Sequence, residues 1–174
     1  MNTMFDYRTI VVGTDGSSLA NPTVARAAWL AARNDADLVI VCAYGGLSRR
    51  QEARNVTTLG GDPRIGLVPG RAAASEAIAS AVAVAREQSA TITAALLIDT
   101  EPATALLAAA QERKADLIVV GAIRDISVAE RLLGTVASDV VRRAACEVLV
   151  VRPHSGAEAA EIPVPEDSSL TPEE

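Results

Sequence analysis

Short apolar runs alternate with stretches of helical periodicity along most of the chain. Each of five runs is short enough for a strand, rich in β-branched residues and apolar on both faces: Arg8–Gly13, Asp37–Tyr44, Thr91–Asp99, Asp116–Gly121 and Glu147–Arg152. Runs of this kind are typical of parallel strands that are covered by helices above and below. The pattern therefore predicts a five-stranded parallel sheet.

Between these runs, small apolar residues recur at the spacings that place them on one face of a helix. Four such faces are Val24/Ala27/Ala28/Ala31, Ile78/Ala81/Val82/Ala85, Ala103/Leu106/Leu107/Ala110 and Val136/Val140/Val141/Ala144. The sequence Thr100-Glu101-Pro102 suits a helix start, because proline is favoured in the first turn. The alternation of strand and helix predicts a doubly wound α/β domain with right-handed crossovers and helices on both faces of the sheet.

Composition agrees with a single domain. The chain has 174 residues and only four aromatic ones, so the core must be built from Ala, Val, Leu and Ile. No apolar run approaches the length of a membrane span, and no basic segment followed by an apolar one opens the chain. We therefore expect a cytoplasmic protein with no membrane partner, in which Cys42 and Cys146 are free thiols.

The acidic residues are concentrated at the end of the sequence. Residues 155–174 contain six acids, three prolines and no Lys or Arg, so we predict a disordered acidic tail at 155–174 after a domain at 1–154. Removing these six from the 22 acids of the chain leaves 16, which balance the 16 Lys and Arg residues. A neutral domain does not have the basic surface of a nucleic-acid-binding protein. The stretch from Gly45 to Gly70, rich in glycine and containing two prolines, predicts a lid or binding loop or a disordered loop.

The turn from Gly13 to Ser17 is the first candidate for chemistry. It follows the first strand directly, and ligands of open α/β sheets bind outside the carboxyl ends of the strands. Asp15 could accept hydrogen bonds from ribose hydroxyls. The alternative is structural, with Asp15 or Ser17 as the N-cap of the following helix.

The segment from Gly121 to Val136 is the second candidate. Gly121 ends the fourth strand, and Gly134 and Thr135 come thirteen residues later at a predicted helix start. A glycine there lets the backbone approach a phosphate, and the helix dipole favours an anion. The alternative is an ordinary glycine turn with a threonine cap.

Three segments, IVVGTDGS, ADLIVVGA and RLLGTVASDVVRRAACEVLVVRP, resemble the universal stress protein family in order and spacing over about residues 8–153. The resemblance is closest to nucleotide-binding members from actinobacteria and implies the strand order 3-2-1-4-5. ATP-binding members have Gly, two residues, Gly, nine residues, and then Gly with Ser or Thr. This chain matches with Gly121 and Gly134-Thr135 but has Arg124 in place of the second glycine.

The resemblance implies an adenine-nucleotide-binding regulatory module, with ATP, AMP or cyclic AMP as ligand and magnesium accompanying ATP. The residues expected at the site are Gly13, Thr14, Asp15, Cys42, Ala43, Gly121, Arg124, Arg131, Gly134, Thr135 and Val136. Arg124 either fills the phosphate site or clamps a phosphate. Arg131, which precedes the Gly-Thr turn, either reaches phosphate or forms a surface ion pair.

The alternative function is that of a dimeric interaction protein of the same fold that binds no nucleotide. We expect no catalytic residues and no metal site, because His154 is the only histidine and no nucleophile has a partner in the sequence. In the implied strand order Glu147–Arg152 lies at a sheet edge, and an apolar edge needs a cover. We therefore predict a homodimer that pairs this strand with its copy.

Overall fold

The computed structural model describes residues 6–45, 67–122 and 134–152. Within these ranges lie six strands: β1 Thr9–Gly13, β2 Asp37–Gly45, β3 Val68–Pro69, β4 Thr91–Asp99, β5 Leu117–Gly121 and β6 Glu147–Val151. Four helices connect them: α1 Asn21–Asn34, α2 Arg71–Glu87, α3 Pro102–Arg113 and α4 Thr135–Arg143. The predicted tail at 155–174 and most of the predicted loop at 45–70 lie outside the described residues.

The sheet is parallel, and its long strands lie in the order β4-β2-β1-β5-β6. Counting only the five predicted strands, this order is 3-2-1-4-5, so the predicted fold is confirmed. β1 lies in the middle, with β2 on one side and β5 on the other. The chain therefore leaves β1 in one direction across the sheet and later returns to its other side, and the strand order reverses between β1 and β5.

The two faces of the sheet bury separate apolar clusters. Ile10 and Val12 of β1 point to the face that α1 and α2 cover, while Val11 points to the face that α3 and α4 cover. Since successive side chains of a strand alternate between faces, a fully apolar strand is the pattern that a sheet covered on both sides requires. The helices contribute mainly alanines to both clusters.

Three of the predicted helix faces are buried or half-buried as expected. The fourth is only partly so, because Val141 of α4 is 47% exposed although Val140 beside it is fully buried. α4 is short and ends at Arg143, after which Ala144 is extended, so its apolar face narrows to Val136, Ala137 and Val140.

The two-residue strand β3 was not predicted. Val68 and Pro69 pair with Tyr44 and Gly45, beyond the last pairing of β2 with β1 at Val41. Tyr44 also pairs with Asp99 of β4. Because a strand has two hydrogen-bonding edges, β3 must occupy the edge of β2 that β1 leaves free after Gly13. It leads directly into α2.

Candidate functional site

A cleft lies at the carboxyl ends of β1 and β5, where the strand order reverses. Open α/β sheets bind their ligands at this position because the loops on either side diverge to opposite faces. The cleft is lined by Gly13, Thr14, Asp15, Ser17, Leu19, Ala20, Thr23, Val41, Ala43, Pro102, Val120, Gly121, Ala122, Gly134, Val136 and Ala137.

The turn after β1 is held by hydrogen bonds among its own residues and to β2. The Thr14 amide donates to the carbonyl of Val41 at 2.9 Å, which ties the turn to β2. The Thr14 hydroxyl accepts from the Gly16 amide at 3.1 Å. Asp15 Oδ1 accepts both the amide of Ser17 at 2.9 Å and its hydroxyl at 2.6 Å. The turn is therefore fixed before any ligand arrives.

The alternative role of Asp15 or Ser17 as a helix N-cap is not observed. α1 begins four residues after Ser17, and its N-cap residue is Ala20, which offers no side-chain hydrogen bond. Asp15 instead closes a local turn on the residue two positions ahead, which is a common role for Asp in turns. One of its oxygens is engaged in this way, and its side chain still lines the cleft.

Gly16 allows the turn after β1 to lie close to α2. Its φ is +77°, a conformation that glycine adopts without strain. A Cβ at this position would lie 2.7 Å from Cβ of Ala77 in α2. The glycine therefore serves both the backbone conformation and close packing against α2.

Three helices begin at the cleft: Ala20 precedes α1, Pro102 opens α3 and Gly134 precedes α4. The positive ends of their dipoles favour an anion there. The helices differ in the N–H groups that they offer, because proline has none. α1 has Pro22 and α3 has Pro102 in the first turn, whereas the first turn of α4 contains no proline.

The start of α4 is therefore the best anion site in the cleft. Gly134 has φ +82° and no side chain to cap the helix. The amides of Thr135, Val136 and Ala137 belong to the first turn, whose N–H groups have no partner inside the helix. Such a helix start can bind phosphate through backbone groups alone.

The two sides of the cleft have different chemistry. One wall is apolar and belongs to the face covered by α3 and α4. It consists of Val41, Ala43, Val120, Val136 and Ala137. The other wall is polar and belongs to the turn after β1 and to α1. It consists of Thr14, Asp15, Ser17 and Thr23. A ligand with one flat apolar part and one polar, anionic part matches this division.

Gly121 allows α1 to approach the end of β5. A Cβ at Gly121 would lie 2.9 Å from the hydroxyl oxygen of Thr23, which is closer than such atoms normally approach. The role of this glycine therefore includes a contact with α1 as well as the strand-end turn that the sequence predicts.

The structure brings most of the predicted site residues together. Those that line the cleft are Gly13, Thr14, Asp15, Ala43, Gly121, Gly134 and Val136. Thr135 is exposed beside the cleft, at the first position of α4. Arg124 and Arg131 lie outside the described residues.

The side chain of Cys42 does not line the cleft. Because side chains alternate along β2, Val41 and Ala43 face the cleft while Cys42 points to the opposite face. There it packs fully buried against Val68, Ala74 and Ala77. Burial and the charge of Asp15 raise the pKa of Cys42 to about 11, so the thiol is protonated at neutral pH and is not a nucleophile.

Several lining residues were not predicted from the sequence. Val41 could have been found, because it lies two positions before Ala43 and therefore shares its face. Thr23 and Pro102 lie on helices after the first and third predicted strands, and their positions depend on how those helices pack. Leu19, 44% exposed at the cleft, also lacks any sequence signal.

In the ranges that the structure describes, no group of three or more His, Cys, Asp or Glu side chains is arranged to hold a metal ion. None of the helices described is both long and apolar enough to cross a membrane.

Comparison with known proteins gives a consistent result. The model of the universal stress protein family matches residues 6–152. Universal stress proteins of two Mycobacterium tuberculosis strains, CDC 1551 / Oshkosh and H37Rv, are each 39% identical over 148 residues, which cover 85% of this chain and 98% of the relative.

Solved structures show the same likeness. A universal stress protein crystallised in complex with cAMP is 34% identical, with a TM-score of 0.65, over 85% of this chain and 98% of that one. A universal stress protein from Archaeoglobus fulgidus in complex with dAMP has a TM-score of 0.58 over 84% and 98% of the two chains. At 24% identity, that second likeness concerns the fold alone.

Proposed function

The chain belongs to the universal stress protein family, and from that premise we propose that it is a regulatory module that binds an adenine nucleotide in the cleft between β1 and β5. The observation that carries this proposal is the division of the cleft into an apolar wall and a polar wall. An apolar wall suited to a flat base faces a polar wall, and the α4 helix start lies beside them. The structure similar to this chain that was solved with cAMP, at 34% identity, supports the same ligand class.

In this proposal the adenine packs on the side chains of Val41, Ala43 and Val120. The ribose lies against the turn at Asp15, whose carboxylate can accept from sugar hydroxyls. The phosphate lies at the start of α4, where Gly134 permits close approach and the following amides donate. Among the described residues that line the cleft there is no Lys or Arg, so backbone dipoles supply the attraction for the phosphate in this part of the site.

We further propose that AMP or cyclic AMP binds more tightly than ATP. The argument comes from Arg124, which stands where ATP-binding members of the family have glycine. Arginine is bulky and permanently charged, so it can pair with a single phosphate while occupying space that a triphosphate needs. The likeness to the cAMP complex points in the same direction. Magnesium would accompany ATP, if ATP binds.

Calorimetric titration with ATP, AMP and cyclic AMP tests both the binding of an adenine nucleotide and the preference for AMP or cyclic AMP over ATP. We expect wild type to bind the monophosphates more tightly, and Arg124→Gly to improve ATP relative to them. Arg86→Gln is the control for loss of a positive charge, because Arg86 lies in the last turn of α2, away from the cleft. If Arg124→Gly weakens ATP, Arg124 is a triphosphate clamp. If no nucleotide binds, the dimeric interaction protein becomes the better hypothesis.

We expect no enzymatic turnover. Among the described residues lining the cleft, Asp15 is the one carboxylate, and it is engaged by Ser17. A hydrolase would need a general base aligned with a water molecule or a metal ion to activate one. Release of phosphate from ATP at a rate above that of the buffer would contradict this expectation.

We also propose a cytoplasmic location, because the chain belongs to the universal stress protein family.

We also propose that the protein is a homodimer formed through β6. This strand ends the sheet, and Val148, Leu149, Val150 and Val151 are only half-buried there. An apolar edge of this kind favours pairing with a second copy across a two-fold axis. Light scattering coupled to size-exclusion chromatography should give twice the chain mass at micromolar concentrations. Val150→Lys should give monomers, and a wild-type monomer would contradict the proposal.

A further inference from the structure

Thr23 is an unusual residue for its position. It lies in the first turn of α1, is only 2% exposed, and nevertheless lines the cleft. In a helix, a buried threonine commonly donates its hydroxyl proton to the carbonyl four residues earlier. No such bond to Leu19, and no other hydrogen bond from the Thr23 hydroxyl to a described residue, is present. A buried hydroxyl without an acceptor costs free energy, so a native structure usually has a reason for keeping one.

The Thr23 hydroxyl lies on the polar wall of the cleft. Its oxygen would lie 2.9 Å from a Cβ at Gly121, so it sits where α1 meets the end of β5. The apolar wall is on the other side of the cleft, formed by side chains of the second cluster. Thr23 shares its side with Thr14, Asp15 and Ser17, where the Thr14 hydroxyl accepts from the Gly16 amide and the Ser17 hydroxyl donates to Asp15. The Thr23 hydroxyl is therefore a donor that this wall can offer to a ligand.

We propose that Thr23 is a specificity-determining residue whose hydroxyl donates a hydrogen bond to a phosphate oxygen of the bound nucleotide. This inference rests on the proposed function. The phosphate is the anionic part of the ligand, and both α1 and α4 direct their positive ends into the cleft. Pro22 removes one N–H from the first turn of α1, and the Thr23 hydroxyl supplies a donor from the same turn. In the proposed placement the base packs on Val41, Ala43 and Val120 and does not contact this hydroxyl.

The test compares Thr23→Val, which keeps the shape and removes the hydroxyl, with Thr23→Ser, which keeps the hydroxyl. Calorimetry measures the binding of AMP, cyclic AMP and adenosine to the full chain. We expect Thr23→Val to weaken AMP and cyclic AMP about tenfold or more, the usual loss for a hydrogen bond to a charged group, and to leave adenosine nearly unchanged. Thr23→Ser should keep most of the affinity for the phosphorylated ligands.

Thermal unfolding of the ligand-free proteins separates binding from structure. Because Thr23→Val removes a buried hydroxyl that has no acceptor among the described residues, the midpoint should stay equal to that of wild type or rise. A clearly lower midpoint would assign the hydroxyl to the fold and overturn the proposal.

The remaining outcomes are also decisive. Equal AMP binding by wild type and Thr23→Val would overturn the role of Thr23 and leave the proposed function standing. Equal weakening of AMP and adenosine would overturn the contact with phosphate. Failure of wild type to bind any of the three ligands would overturn the proposed function and this inference with it.

Discussion

Two turns bound the cleft from opposite sides of the strand reversal, and they are built on different principles. The turn after β1 is closed, because Thr14 and Asp15 accept hydrogen bonds from Gly16 and Ser17 and the Thr14 amide is bound to β2. The turn at Gly134, where α4 begins, is open among the described residues, because Gly134 has no side chain and no side-chain cap is present there. The turn after β1 forms hydrogen bonds within itself, whereas the first-turn amides of α4 have no partner inside the helix.

The difference indicates that the two turns have different roles in the site. A closed turn holds its shape without ligand, so its residues can form a wall of fixed geometry. An open helix start has N–H groups that water or a ligand must satisfy, so it gains most when an anion binds. Both turns contain a glycine at positive φ, Gly16 and Gly134, but for different reasons. Gly16 is required by packing against α2, whereas Gly134 shapes a helix start that borders the cleft.

Gly16→Ala should produce the largest effect. The substitution places a Cβ at φ +77° and 2.7 Å from Cβ of Ala77, so backbone strain and a steric clash act together. Each contribution is of the order of 1–2 kcal/mol, and we expect the free energy of unfolding to fall by about 2–3 kcal/mol. Urea denaturation followed by circular dichroism measures it.

Gly70→Ala is the matched control. Gly70 precedes α2 at φ +90° and ψ +155°, a region that glycine alone adopts readily, and nothing lies within 4 Å of a Cβ there, so only backbone strain of about 1–2 kcal/mol remains. The comparison isolates the contact with Ala77. If the two variants lose equal stability, the turn does not pack on α2 as the structure shows.

Gly134→Ala should have a smaller effect on stability and a distinct effect on binding. The strain at φ +82° and ψ +161°, a region that glycine alone adopts readily, costs about 1–2 kcal/mol. If the α4 helix start holds the phosphate, displacement of its first turn should also weaken AMP by about fivefold or more while adenosine changes little. Calorimetry measures both ligands. Unchanged AMP affinity with the expected loss of stability would show that the open turn is only a structural helix start.

The sequence was sufficient to predict the sheet and its order, and the reason is visible in β1 and β2. Their continuous apolar runs allow only a strand covered on both faces, and the resemblance supplied the order. The long loops could not be predicted in the same way. The strand Val68–Pro69 has only two residues, one of them a proline, so it carries neither a periodicity nor a strong preference for strand. Pairing with the free edge of β2 creates it.

The site was predicted where it depends on turns and missed where it depends on packing. Gly13, Asp15 and Gly134 follow or precede regular elements at recognisable spacings. Cys42 was predicted at the site from its position near the end of β2, and the alternation of side chains along that strand turns its thiol away from the cleft. Thr23 enters the cleft only because Gly121 lets α1 approach β5, which is a contact between residues almost a hundred positions apart.

The smallest expected effect concerns the thiol that lies behind the closed turn. Burial is the main cause that raises the pKa of Cys42 to about 11, and the negative charge of Asp15 contributes to it. Asp15→Asn should therefore lower this pKa, although burial keeps it above the usual range. The ¹³Cβ shift of labelled cysteine, followed against pH in a Cys146→Ser background, measures it.

Asp116→Asn is the control for loss of a negative charge, because Asp116 is not among the causes of the raised pKa of Cys42. The sign for stability follows from the same shift. Folding stabilises the protonated thiol, so the contribution of Cys42 to the free energy of unfolding is complete below the ordinary thiol pKa of 9.0 and is lost as pH rises towards about 11. Asp15→Asn should lower the pH at which this contribution is lost. If the pKa of Cys42 does not respond, the Asp15 carboxylate does not lie close to β2, and the closed turn is not the fixed wall that its hydrogen bonds describe.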